Sequence, residues 1–262
     1  VYPGLSPLGC YEVGVEFGVQ QGGLAVADGG YLSVGPITGA ADPYGGENGN
    51  FISCSADNVL AVGEENVMSG RNSTAIGFGN QVLNTNQLAA GHSNIIEAKS
   101  SVAFGASNMV ETGSDYAFAS GFGTTVKATA TAGHTEGYQT TSSGSYSHAE
   151  GKGTLAEGAT SHAEGLYSTA RGDGSHAEGG ATFAIGQASH AEGQLTRAIG
   201  AESHAEGFRT KAEGLASHAE GRNTTASGNY SHAEGLETDS LGDYSHAEGR
   251  FTTASGLAAH AE

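Results

Sequence analysis

The chain is 262 residues long and carries 28 Asp and Glu against 10 Lys and Arg, a formal net charge of −18. That balance excludes attraction to nucleic acid or anionic lipid by simple electrostatics, and no apolar run approaches the length of a membrane span. Gly supplies 44 residues, Trp none and aromatics only 7%, so a thick globular core is excluded and a narrow one packed with small side chains is expected.

Residues 1–56 show no regular period. Short strand-like runs (Tyr11–Val19, Leu24–Ala27, Tyr31–Val34) alternate with Gly and Pro punctuation, and Gly45-Gly46-Glu47-Asn48-Gly49-Asn50 reads as a loop. This segment is expected to be a non-repeat β cap over the first open edge, or a joint to a preceding domain. Cys10 and Cys54 are the only cysteines, and the sequence leaves open whether they are bonded. No signal-peptide pattern opens the chain. It begins at Val1 and stops inside a repeat, so it is expected to be a processed or partial piece of a longer protein.

From residue 57 a fourteen-residue rule sets in. Val59-Leu60-Ala61-Val62-Gly63, Ser73-Thr74-Ala75-Ile76-Gly77, Gln87-Leu88-Ala89-Ala90-Gly91 and Ser101-Val102-Ala103-Phe104-Gly105 are in phase, and Asp115-Tyr116-Ala117-Phe118-Ala119 continues the count. The second half of these units opens on Asn66, Asn80, Asn94 and Asn108. Residues 57–120 form one block of repeats. The later pentapeptides are displaced from it by four residues, which predicts an irregularity near residues 117–132. His92 follows Gly91 and is not equivalent to the histidines downstream.

Residues 121–262 form the second block. Ser-His-Ala-Glu-Gly recurs at Ser147, Ser161, Ser175, Ser189, Ser203, Ser217, Ser231 and Ser245, preceded by Gly133-His134-Thr135-Glu136-Gly137 and closed by Ala259-His260-Ala261-Glu262. A period this strict signals one small unit stacked on itself. A coiled coil fails because every unit holds at least two Gly, each costing roughly 1 kcal/mol in a helix, and no Leu or Ile seam exists. Collagen would need Gly at every third position. Calcium-binding nonapeptide rolls would need their Gly-Gly-x-Gly-x-Asp signature. The unit divides instead into two halves of seven, Ser-His-Ala-Glu-Gly-x-x and Thr-x-Ala-x-Gly-x-x. Small residues alternate with variable ones within each half, the period of a strand with one face inward. The reading is all-β: a parallel β-roll, or solenoid, of two short strands per coil, with Ser, Thr, Ala and Gly inside and coils about 4.8 Å apart.

The Ser-x-Ala-x-Gly units at Ser73–Gly77 and Ser101–Gly105 resemble the head domain of trimeric autotransporter adhesins, the YadA-like head, over about residues 57–262. The Ser-His-Ala-Glu-Gly version is similar to repeats in long bacterial and bacteriophage surface or tail proteins. The resemblance implies a left-handed roll, three chains side by side, and an extended extracellular fibre on a cell surface, with a bacteriophage tail fibre or other particle appendage as the alternative. No neck motif, coiled-coil stalk or membrane-anchor barrel is visible in the sequence.

Outward positions supply the candidate site. Leu60, Val62, Ile76, Leu88, Val102, Phe104, Tyr116 and Phe118 would form an apolar outward column that needs covering, and symmetric self-association covers it economically. Downstream that role falls to His148, Glu150, His162, Glu164, His176, Glu178, His190, Glu192, His204, Glu206, His218, Glu220, His232, Glu234, His246 and Glu248. Their identity from coil to coil suits a face that meets its own copies, with His pairing to Glu of a neighbouring chain. Solvated same-face ladders are the plainer alternative. Metal binding by the repeated imidazoles is a sharper one, set aside because an ion in every coil would stack like charge. No catalytic residue, cofactor or metal is expected. A carbohydrate-cleaving tailspike would need one asymmetric carboxylate pair, and an ice-binding face would need Thr-x-Thr arrays. The expected partners are the chain itself, as a homotrimer, and a host-surface or matrix receptor.

Overall fold

Alternation of small and large residues, broken every few positions by a residue that accepts positive φ, folds the chain into very short strands joined by tight corners. The computed structural model describes residues 31–34, 50–53, 56 and 58–262. Every regular element among them is a β-strand. The expected strands Tyr11–Val19 and Leu24–Ala27, the loop through residues 45–49, and both Cys10 and Cys54 lie outside the described residues.

The strands form two parallel sheets that share the long axis, one of sixteen strands and one of fifteen. Each coil contributes one strand to each. His148–Lys152 and Leu155–Ala156 make one such coil. It pairs with His162–Leu166 and Thr169–Ala170 of the next. The backbone ladder runs along the axis, as in His148 N–H donating to Ser161 O at 2.9 Å and Leu155 N–H to Ser168 O at 2.9 Å. The two corners of this coil are left-handed residues, Gly153 (φ 64°) and Thr160 (φ 54°). Imidazole rings of successive coils stand 4.8 Å apart, the spacing of adjacent strands. Tyr31–Val34 pairs with Val59–Val62, and Phe51–Ile52 with Val67–Met68, so the two sheets begin ahead of the strict repeat.

Glycine is required where coils touch backbone to backbone. A Cβ on Gly200 would stand 1.8 Å from the carbonyl oxygen of Gly214 one coil on. At Gly193 the demand is double, since φ is +100° and a Cβ would lie 2.2 Å from Gly207 O.

The four-residue displacement resolves into two enlarged coils. Val102 pairs with Phe118, and Phe118 with His134, each a step of sixteen residues. The extra residues sit in the corners between Val110 and Phe118 and between Val126 and His134, so the shift starts earlier than residue 117. This corrects the in-phase reading of residues 115–119. Tyr116 is a left-handed corner residue with φ 65°, 70% exposed, and Phe118 takes the register of Val102.

The interior is narrow, as expected, but not uniformly small. Ala61, Ala75, Ala89, Ala103 and Ala119 line the inner wall of the long-strand sheet, while Met68, Val82, Ile96, Val110 and Val126 line the opposite wall, all with no exposure. Bulk on one wall faces alanine on the other, which keeps the cross-section filled. Downstream, both walls are mostly alanine, as at Ala163 and Ala170, with Thr135, Ser142 and Ser240 at equivalent positions. The inward Ser of most repeats closes a corner, as in Ser161 Oγ donating to Gly158 O at 2.7 Å, whereas Ser175 Oγ is buried without a partner among the described residues. Upstream, the polar stack is asparagine. Asn80 Nδ2 donates to Asn66 Oδ1 at 2.9 Å and to Gly91 O at 3.0 Å, while its own Oδ1 accepts from Asn94 Nδ2 at 2.9 Å.

Candidate functional site

Side chains alternate across a strand, so each long strand turns the two residues flanking its inward Ala or Thr outward. In-register parallel pairing then stacks them into two columns. One reads Leu60, Thr74, Leu88, Val102, Phe118, His134 and His148. The other reads Val62, Ile76, Ala90, Phe104, Ser120, Glu136 and Glu150. All the sequence-identified site residues except Tyr116 lie on this one face. Thr74, Ala90, Ser120, His134, Glu136 and His260 share it and were not singled out. The imperfect repeat at Gly133–Gly137 carried the signal for His134 and Glu136, but the sixteen-residue step hid their register.

The apolar and His/Glu halves join without a break. Phe104 meets Phe118 edge-on at 6.0 Å, Phe118 meets His134 at 4.9 Å, and His134 stacks on His148 at 4.3 Å. Beyond that the rings are nearly parallel stacks, such as His190 on His204 at 4.8 Å and 2°.

Each imidazole turns Nε2 toward glutamates of its own chain. His162 Nε2 lies 3.3 Å from Glu150, His176 Nε2 3.4 Å from Glu164 and 3.8 Å from Glu178, and His190 Nε2 3.9 Å from Glu192. Most of these contacts are longer than a hydrogen bond. The Nε2 atoms from His134 to His246 are buried and make no hydrogen bond among the described residues. The side chains themselves are about one-third exposed, 34% for His176 and 36% for Glu178. The ladder therefore shows the same-face contacts of the plainer sequence reading, with Nδ1 and the ring edge as the parts each histidine offers outward.

Crowding like groups at strand spacing perturbs both columns. Burial, then the neighbouring imidazoles, holds His148, His176, His204 and His232 below the usual histidine range. Among the carboxyls, sharing a hydrogen bond with the next glutamate pushes Glu164, Glu206 and Glu234 up to about 7, while the same sharing lowers Glu150, Glu192 and Glu220. Glu164, Glu206 and Glu234 thereby hold a proton closer to neutrality than an ordinary carboxyl does. Trios such as His148, Glu150 and His162 bring one ligand atom each within 4.8 Å of one another, but the next trio reuses His162. Independent ions could therefore not occupy every coil.

The family model of the YadA head domain repeat (2 copies) matches residues 69–86, 149–175, 163–189 and 214–237. The chain carries a YadA-like head β-roll. Its matched segments fall in both the apolar coils and the His/Glu coils. That family is a structural, surface-exposed adhesin domain and not an enzyme family. No curated protein matches the chain.

Proposed function

We propose that this chain is one subunit of a rigid, left-handed, homotrimeric rod displayed outside a cell, where it serves attachment to a surface or matrix. One observation carries the reading: a single face, two columns wide, keeps its register from Leu60 to His260 while its chemistry changes from apolar to His/Glu. A solvent face has no reason to repeat with such fidelity. The short-strand side does not, reading Leu155, Thr169, Phe183, Arg197, Lys211, Thr225 and Asp239 over the same coils. A threefold axis along the uniform face covers Ile76 and Phe104, which are otherwise exposed. Because Nε2 already faces the chain's own glutamates, neighbouring subunits meet imidazole Nδ1 atoms and ring edges there. Pairing of this kind specifies alignment more than it adds stability.

Sedimentation equilibrium tests the reading. The expected species is a trimer, with Phe104→Glu and the pair His190→Ala/His204→Ala each shifting it toward monomer. A folded monomer at all concentrations, or a trimer indifferent to both changes, overturns it.

A further inference from the structure

The short-strand sheet and its corners carry a patch whose chemistry runs against the rest of the molecule, and it reaches the far end of the long strands at Phe208 and Arg222. The chain holds only 10 Lys and Arg, and four of them, Arg197, Arg209, Lys211 and Arg222, gather on neighbouring coils. Arg197 and Lys211 are register partners in the short-strand sheet. Arg209 follows as a corner residue with φ 57°. All four are exposed. None forms an ion pair among the described residues, where Lys127 and Arg171 are the Lys and Arg that do. What sets these four apart is that they gather on neighbouring coils of an acidic chain. Aromatic rings hold these cations in place: Arg197 lies over Phe183 at 5.5 Å, and Arg209 and Arg222 over Phe208 at 5.1 and 5.6 Å. Between them runs a shallow groove of about 320 Å³ lined by Ala181, Phe183, Leu195, Arg197, Arg209 and Lys211.

We infer that this groove binds an extended polyanionic polysaccharide, its sulfates or carboxylates on Arg197, Arg209 and Lys211 and an apolar sugar face on Phe183 and Leu195. The inference deepens the attachment role and rests on that reading. Three observations select this class of ligand. The groove mixes apolar floor with cations, which suits a sugar ring bearing anions. Its backbone offers nothing to a peptide strand, since Leu195, Arg197, Arg209 and Lys211 N–H groups are all spent on neighbouring coils. A uniform partner such as the chain's own glutamate ladder would select a uniform column, yet this one changes from Thr169 through Phe183, Arg197 and Lys211 to Thr225 and Asp239. The acidic remainder of the rod repels a polyanion and confines it to the patch.

The test is binding of a heparin-derived sulfated oligosaccharide, with hyaluronan as the carboxylate-only arm and poly-glutamate as the acidic-peptide arm. It is followed by fluorescence polarisation at several salt concentrations, on protein whose sedimentation is checked in parallel. Heparin or hyaluronan should bind, more weakly as salt rises. Arg197→Gln/Arg209→Gln/Lys211→Gln should lose about tenfold or more in affinity and flatten the salt dependence. Lys99→Gln/Lys152→Gln/Arg250→Gln, the same change of charge elsewhere, should leave binding within about twofold. Phe183→Ala should weaken both polysaccharides. The inference is overturned if neither polysaccharide binds, if the control variant loses as much, or if poly-glutamate binds as well as they do. Loss of binding with sedimentation unchanged counts against this site alone, whereas a change in sedimentation bears on the assembly.

Discussion

Replacing Asn80 by Ala removes the middle rung of a buried ladder. Asn80 has no exposure, and its side chain makes five hydrogen bonds: Nδ2 to Asn66 Oδ1, Ile76 O and Gly91 O, and Oδ1 from the backbone N–H and Nδ2 of Asn94. Asn66 Oδ1 keeps the backbone N–H of residue 80, and Asn94 Nδ2 keeps Gly105 O. The buried Asn94 N–H loses its side-chain partner, and the carbonyl of the exposed Gly91 loses one as well. At about 1–3 kcal/mol for a buried group left wanting, the loss is about 3 kcal/mol. Asn80→Thr should cost roughly half of that, because the chain itself makes this exchange three coils later, at the end of the ladder: Thr124 Oγ1 donates to Asn108 Oδ1 at 2.8 Å. Urea denaturation followed by circular dichroism, at fixed protein concentration since assembly shifts the midpoint, reads the difference. Hydrogen exchange of the Asn94 amide reads it locally. A midpoint for Asn80→Ala equivalent to less than about 1 kcal/mol, or a Thr variant as damaged as the Ala variant, refutes the ladder as a stabilising element.

Three further outcomes follow from the same geometry. Gly200→Ala should destabilise by about 3 kcal/mol or more, because its Cβ would meet Gly214 O at 1.8 Å and two coils must part to admit it; a melting temperature within a degree or two of the parent contradicts this. Thr196→Val should raise stability by about 1 kcal/mol, since Thr196 Oγ1 is buried with no hydrogen-bond partner, and a lower denaturation midpoint would show the hydroxyl to be satisfied after all. Glu206→Gln should flatten the decline in melting temperature between about pH 6 and pH 8. The Glu206 carboxyl titrates at about 7 in the fold against an ordinary value of 4.5. Its contribution is therefore complete below the ordinary value and is lost as pH rises through 7. The lowered histidines act in the opposite sense, losing stability as pH falls below 6.5. An unchanged pH profile in the Gln variant would show the carboxyls to titrate independently.

Much of this was legible because the period and the small-residue positions are tied to one physical demand, that coils stack at strand spacing. Ala149 and Ser147 could be placed inside, and His148 and Glu150 on a shared face, from alternation alone. Four things were not legible. Fourteen-residue arithmetic put Tyr116 on the face, because two residues inserted in a corner leave no mark on composition; only the pairing of Val102 with Phe118 reveals them. The buried Met68 and Ile96 escaped notice because inward size was judged from the long strand, where the inward position is almost always Ala. The direction of His Nε2, toward the chain's own glutamates, is a rotamer choice that no spacing fixes. The cation groove stayed hidden for a related reason: Phe183, Arg197 and Lys211 are fourteen apart, and reading each as a variable surface residue dissolves the column they form.

The proposed assembly has a register problem that its own sequence answers. Coils as alike as those at Ser189 and Ser203 would meet a neighbouring chain almost equally well when slipped by one repeat, losing only the contacts of a terminal coil. A slip must therefore be penalised somewhere else. The two enlarged coils supply that penalty, because a neighbour displaced by one unit would set a sixteen-residue step against a fourteen-residue one. The column chemistry adds to it, since the same slip would bring the first imidazole, His134, into the layer of Phe118 and leave an ionisable ring among apolar ones. The irregular coils between Val102 and His148 thus act as the index mark of an otherwise uniform rod. Deleting two residues from each enlarged corner should yield trimers of mixed alignment, visible as a spread of disulfide pairings from a single cysteine placed on the face.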